Sequence, residues 1–230
     1  MISEALSGKR IAITGSTGFL GTALVERLLR NVPECELVLL VRPGRRGAAK
    51  RVERDIFKND AFDRLRQSHG SDGFEELIAR RVHAVPADIS VEGLTLDKSS
   101  REMLMTSDIV VHSAAAVSFD EPLDRAVEVN LMGPVRLVAL LQDLGVSPHL
   151  VAVSTCYVAG SRKGDAPEEA LTDGPFYVPI DWRAETEGAR RTRAYLEDDS
   201  RRIEMLERFG AEARSELGAA GSPALAAKTE

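Results

Sequence analysis

The chain has 230 residues, 43% of them hydrophobic, with 30 basic against 36 acidic side chains and a formal charge of −6. That is the size and make-up of one globular α/β domain, and it excludes a disordered or fibrous chain. A pI near 5.4 offers phosphate backbones and anionic lipid no bulk attraction, so nucleic acid is disfavoured as a partner, although a local basic cluster can still hold one small phosphate.

The opening MISEALSG leads into no apolar core, which predicts no secretory leader. Arg10 to Thr14 is a short β-branched run followed at once by glycines, and Leu20, Leu24, Val25, Leu28 and Leu29 then recur at helical spacing. This is strand, turn, helix, and Pro33 stops the helix. Glu36 to Val41 (ELVLLV) is a continuous apolar run of the kind buried on both faces of a parallel sheet. Its apolar core, Leu37 to Val41, is as long as any clean apolar stretch in the chain, far short of the roughly 20 residues that span a bilayer. No transmembrane segment is expected, while peripheral membrane association stays open.

Further strands are predicted at Val82 to Pro86, Ile109 to His112 and His149 to Ser154, with helical segments between them. Leu123 to Leu144 reads as one long helix with Asn130 inside a mostly apolar face. The alternation predicts a Rossmann-like, doubly wound parallel sheet with helices on both faces. From Asp181 to Leu217 there are 10 acidic and 8 arginine residues, with Ile203, Leu206, Phe209, Ala213 and Leu217 at spacings of three and four. That predicts a single amphipathic, salt-bridge-laced helix, followed by a loop or tail over Gly218 to Glu230. The expected division is a nucleotide-binding domain over 1–180 and a charged helical excursion over 181–230. Cys35 and Cys156 are too few for a disulfide framework or a zinc site, and they fit a reducing cytoplasm.

Thr14 to Gly21 reads TGSTGFLG between the first strand and the first helix. Gly15 allows the tight turn, Gly18 lets the backbone approach a diphosphate, and Gly21 lets helix pack on strand. Ser16, Thr17, Phe19 and Leu20 share the same loop, whose amides open a helix N-terminus suited to anions. Three glycines are a weak pattern alone; their place at the head of a βαβ unit strengthens it. Where NAD enzymes carry an acidic residue at the end of the second strand, this chain has Val41-Arg42-Pro43-Gly44-Arg45-Arg46. A guanidinium pairs well with a 2′-phosphate, so NADPH is the expected coenzyme, with Arg42 as its first reader and Arg46 as its second. Lys50 and Arg51 read instead as the solvated face of the following helix.

TGSTGFLG, LLVRPGRRGAAKRVERDIFKNDAFDRLR, HSAAAVSFDEPLDRAVEVNLMGPVRL and VSTCYVAGSRKG, in this order, closely resemble the NAD(P)-binding domain of fatty acyl-CoA reductases, bacterial type, in the extended short-chain dehydrogenase/reductase superfamily. The resemblance covers roughly residues 9 to 180. It also extends to the thioester reductase domains of carboxylic acid reductases. It implies an oxidoreductase that reduces a long-chain acyl-CoA or acyl-carrier-protein thioester to an aldehyde or alcohol.

Carried over by position, the resemblance sets Asp88 and Ile89 beside the adenine and Ala114, Ala115 and Ala116 against the cofactor ribose. Without it, Asp88 reads equally as a turn residue and the alanines as tight packing. Thr155, with Ser154 as second choice, matches the hydroxyl that faces the substrate carbonyl, and its assignment rests on the spacing to Gly160. Such a hydroxyl stabilises negative charge developing on that oxygen. Asn130 matches the family's helix Asn, which holds a backbone kink and a water; as an ordinary buried amide it needs partners in any case. His112 reads as a satisfied ring at a strand end rather than a base.

The superfamily's chemistry needs a Tyr with a Lys four positions on, and this chain has none: Ser161, Asp181 and Asp199 follow Tyr157, Tyr177 and Tyr195. A chain truncated before that pair is the expectation, with poor or partial NADPH holding and no turnover. The competing readings are a nucleotide-sugar epimerase or dehydratase of the same superfamily, against which FDEPLDRAV argues, and a non-catalytic NADP-binding sensor or scaffold.

Overall fold

The computed structural model describes residues 2–118, 120–155, 163–168 and 177–217. The chain divides into two compact units, Met1–Glu168 and Glu169–Glu230.

In the first unit, helix α1 (Ile2–Ala5) precedes strand β1 (Arg10–Thr14), helix α2 (Phe19–Asn31) and strand β2 (Glu36–Val41). Helix α3 (Gly47–Val52) runs into a π-helical turn over Glu53–Phe57, and α4 (Asp63–Arg81) leads to β3 (Val82–Pro86). Then come α5 (Lys98–Met105), β4 (Ile109–His112), α6 (Leu123–Ala126), a second π-helical turn over Val127–Leu131, α7 (Met132–Asp143) and β5 (His149–Ala152). All five strands are parallel, in the order β3-β2-β1-β4-β5.

Alternate residues of the central strands feed two cores, one on each face. Ile11, Ile13, Leu37, Leu39 and Val41 pack with Val25, Leu28 and Leu29 of α2 and with Phe57, Phe62 and Phe74. Ala12, Val38, Leu40 and Val110 pack with Leu104 of α5 and Leu137, Leu140 and Leu141 of α7. Cover on both faces is why β1 and β2 read as unbroken apolar runs instead of alternating.

Three predicted elements are corrected. The fifth strand ends at Ala152 rather than Ser154, and it is exposed, with Leu150 and Val151 at 38% and 40%, because among the described residues β4 is the only element that it contacts extensively. The helix predicted over Leu123 to Leu144 is interrupted by the π-turn, and Asn130 is exposed rather than set in a buried face. An inserted residue shifts the side-chain phase, which hydrophobic spacing alone does not reveal.

The second unit contains α8 (Trp182–Ser200) and α9 (Ile203–Leu217) where one helix was expected. Asp181 caps α8 by accepting from the Arg183 and Ala184 amides at 3.0 and 3.2 Å. Four-residue pairs such as Arg193–Glu197 (2.6 Å) and Arg208–Glu212 (2.9 Å) lace the two helices. The break falls at Arg201, after Asp198-Asp199-Ser200, residues that compete with the helix for backbone hydrogen bonds. Among the described residues no helix is long and apolar enough to cross a membrane.

Candidate functional site

Every predicted site residue that follows a strand lies beyond a carboxyl end of the sheet, and the glycine loop and the alanine segment flank the β1/β4 boundary where the strand order reverses direction. That is where ligands enter open α/β sheets. The geometry there is set first by glycine. Gly15 has φ +75°, and a Cβ on it would lie 2.5 Å from the Ser113 carbonyl carbon. A Cβ on Gly21 would lie 2.2 Å from the Gly15 oxygen. The loop is thus pressed between the segment after β4 and its own helix. It is closed by Gly18 N donating to Gly15 O at 3.0 Å and Thr22 Oγ1 donating to Ser16 O at 3.1 Å.

Gly18 stands at the N-cap of α2 without a side-chain cap, so the first-turn amides are left for a ligand. Ser16 is fully buried, and its Oγ has no hydrogen-bond partner among the described residues. A buried hydroxyl without a partner is costly, and an anion in the loop is one group that would satisfy it. Thr17 is partly buried, while Phe19 and Leu20 face solvent, Phe19 at 97% exposure.

At the end of β1, Thr14 Oγ1 accepts from the Ser113 and Ala114 amides at 3.2 and 3.3 Å and lies 2.8 Å from His112 Nδ1. The direction of that contact follows the ring tautomer, and a hydroxyl that donates to Nδ1 leaves a neutral ring protonated on Nε2. Burial pushes the His112 pKa down, in the same sense. His112 is a partnered strand-end ring, and the Thr14 hydroxyl that it meets joins β1 to the start of the alanine segment Ala114–Ala116. That segment is held from the other side by Asn130, whose side chain makes two hydrogen bonds to Ala116.

Arg42 and Arg46 are both exposed, and Arg46, with Arg45, lines a concavity of about 570 Å³ formed by Gly44–Gly47 and the face of α3 and its π-turn. Among the described residues, Arg42, Arg45 and Arg46 have no ion-pair partner. Lys50 is paired with Glu53 at 2.7 Å and Arg51 with Asp55 at 3.2 Å. After β3, Asp88 Oδ1 accepts from Ser90 N and Ser90 Oγ at 2.9 and 2.6 Å, the geometry of a turn aspartate. Ile89 packs on Gly133, where a Cβ would lie 3.1 Å from its Cδ1. Ser154 and Thr155 follow β5 and are exposed; Val153 N donates to His112 O at 2.8 Å. Gly160, on which the choice of Thr155 leaned, lies outside the described residues, as does Tyr157.

The sequence reading passed over two arrangements. Arg136, buried on α7, donates to Glu92 Oε1 at 3.0 Å and to the Glu128 carbonyl at 2.9 Å, and it also pairs with the Glu128 carboxylate. It thereby ties the loop after β3 to the π-turn that carries Asn130. Arg51, read as a solvated residue, donates to the Arg42 carbonyl. A lone Arg between Val135 and Leu137, and the four-residue Arg51–Asp55 spacing, were the available signals.

With this geometry, residues 13–207 match the sequence profile of an NAD-binding family described as male sterility protein. The chain belongs to the male sterility protein family. Curated relatives of this male sterility protein member include probable fatty acyl-CoA reductase 5 of Arabidopsis thaliana, 36% identical over 72% of this chain and 34% of the relative. Another is the alcohol-forming fatty acyl-CoA reductase of Simmondsia chinensis, 32% identical over 77% of this chain and 36% of the relative. The chain spans about a third of the length of these relatives. Among solved structures it resembles the terminal R domain from the myxalamid PKS-NRPS biosynthetic pathway, with a TM-score of 0.54 and 26% identity over 80% of this chain and 44% of that one. The five-stranded parallel sheet is therefore the Rossmann-like sheet that the sequence predicted, and the family is the one whose motifs it carries.

Proposed function

We propose that the chain is the coenzyme-binding portion of a cytoplasmic, NADPH-dependent reductase of long-chain fatty acyl thioesters, carried on coenzyme A or on acyl-carrier protein. The observation that carries this reading is the buried Ser16 hydroxyl, without a hydrogen-bond partner among the described residues, inside a glycine loop at the head of α2. Kinship to proteins named fatty acyl-CoA reductases supports the substrate class.

In this reading Gly15, Ser16, Thr17, Gly18, Phe19, Leu20 and Gly21 hold the diphosphate. Arg42, then Arg46, pair with the 2′-phosphate, for which two guanidiniums that follow a strand without a carboxylate, and have no ion-pair partner among the described residues, are suited. Asp88 and Ile89 flank the adenine, Asp88 through whichever lone pairs Ser90 leaves. The small side chains of Ala114, Ala115 and Ala116 leave room for the ribose. When bound, the nicotinamide supplies a hydride. Thr155, with Ser154 second, donates a hydrogen bond to the thioester oxygen, and Asn130 fixes the alanine segment beside it. The proton donor is not among these groups, since the sequence contains no Tyr-x-x-x-Lys.

Calorimetric titration with NADPH and NADH tests the reading. NADPH should bind the more tightly, and Arg42→Ala should cost about 1–3 kcal/mol for NADPH while barely changing NADH. Equal loss for both nucleotides removes Arg42 from the phosphate, and no binding of either ends the proposal. The 230-residue chain should not turn over a long-chain acyl-CoA; steady reduction would contradict the missing donor.

A further inference from the structure

Arg42 is the first residue beyond β2, and its carbonyl lies outside the sheet ladder. The last β2–β3 pair is Val41 with Pro86, and Ala87 N donates to Val41 O at 2.9 Å. The Arg42 carbonyl instead accepts from Arg51 Nη1 at 2.8 Å, while Arg51 Nε donates to Asp55 Oδ2 at 3.2 Å. Asp55 also takes two bonds from Arg54, at 2.5 and 3.0 Å. The guanidinium of Arg54 followed by that of Arg51 holds the Asp55 carboxyl below the usual range, so it is ionised at neutral pH. Asp55 stands in the π-turn whose next residues, Ile56 and Phe57, are buried in the core. A line of contacts thus runs from the core, through Asp55 and Arg51, to the main chain of Arg42.

We infer that Asp55, acting through Arg51, is a positioning residue for coenzyme discrimination: it fixes the Arg42 backbone so that the Arg42 guanidinium meets the 2′-phosphate. This rests on the proposed role of Arg42. Arg51 reaches a carbonyl and a carboxylate from two different nitrogens of its planar fork, whereas an ammonium group would have to reach both from one nitrogen. The inference has a sign opposite to simple electrostatics. Removing an anion near a phosphate site should tighten the phosphate by Coulomb attraction; removing a support for Arg42 should loosen it.

The test measures dissociation constants for NADPH and NADH with the 230-residue chain and with Asp55→Ala, Asp55→Asn, Arg51→Lys and Arg42→Ala, alongside thermal unfolding. Asp55→Ala should weaken NADPH by about tenfold, the scale of one charge-assisted hydrogen bond, with NADH within about twofold. Asp55→Asn keeps an acceptor oxygen for Arg51 and should restore most of the preference, although it removes the same charge. Arg51→Lys keeps the charge and should lose the preference. Tighter or unchanged NADPH binding in Asp55→Ala overturns the inference, as does equal loss of both nucleotides or an Arg51→Lys variant that discriminates like the parent. If Asp55→Ala does not fold, the Asp55→Asn and Arg51→Lys pair decides the matter by the same criteria. An unchanged NADPH-to-NADH ratio in Arg42→Ala sinks the role of Arg42 itself, whereas loss there with none in Arg51→Lys sinks only the positioning step.

Discussion

The side chain of Asn130 closes both of its hydrogen bonds on the main chain of one residue: Oδ1 accepts from Ala116 N at 2.8 Å, and Nδ2 donates to Ala116 O at 2.9 Å. An amide pairs with a peptide group as one strand pairs with another. Asn130→Ala should release this segment at a cost of about 1 kcal/mol. Asn130→Asp should cost more at neutral pH, because its carboxylate faces a carbonyl oxygen where a donor stood. Amide hydrogen exchange at Ala116 reads both; unchanged protection would show that the segment is held by other means.

The glycine loop predicts a split between folding and binding. Gly21→Ala drives a Cβ into the Gly15 carbonyl at 2.2 Å, against backbone that cannot rotate away. It should lower the melting temperature and abolish NADPH binding. A Cβ on Gly18 meets only the Gly15 oxygen, at 3.3 Å, so Gly18→Ala should melt near the parent while binding NADPH more weakly. Thermal melts and titrations on the two variants check this; a Gly21→Ala protein that melts normally would contradict the packing.

Arg81 is buried with no paired carboxylate among the described residues, yet its guanidinium is filled by carbonyls. It donates to Leu29 O at 3.0 Å, Val32 O at 2.7 Å and Cys35 O at 2.8 Å, at the negative end of α2. Arg81→Met fills the volume but orphans these acceptors, and should cost on the order of 3 kcal/mol in urea unfolding. A loss below roughly 1 kcal/mol would mean that water replaces the guanidinium.

Acid should act in two stages. His112 is held below its ordinary pKa, so the unfolded chain takes up that proton first, and stability falls as pH drops from about 6.5 toward the folded value. Asp108, held down by Lys9 and the Arg10 amide, and Glu36, held down by Arg10, stabilise the fold above their unfolded values. That contribution is lost only as pH falls through their folded ones, below about pH 4. Urea midpoints at several pH values should show His112→Gln flattening the upper stage and Asp108→Asn the lower. Parallel curves for parent and variants would refute the assignment.

The sheet was legible because its signals are local. Ile11, Ile13, Leu37 and Leu39 carry their strand assignment in adjacent residues, and the first four strands lie where the apolar runs place them. The glycine loop was legible for the same reason. What stayed hidden depends on groups distant in sequence or on helix phase: the Thr14–His112 contact, the Arg136 tie, the Asn130 pairing, and the Arg51 bond that contradicts its reading as a merely solvated residue. The break after Ser200 was missed because charges and apolar residues keep helical spacing across it, while the marker was the Asp-Asp-Ser cluster.

β1 is synthesised before the other described strands of the sheet, lies in the middle of them, and gains its partner on one side late: Ile11 pairs with Ile109. At roughly 5–20 residues per second, a ribosome needs about 5–20 s to deliver that partner. Until then β1 can add β2 but keeps its other edge bare, an apolar template open to any passing strand. Newborn chains of this protein therefore have their greatest need of chaperone shielding before β4 emerges, along the same strand whose far end later forms the nucleotide loop.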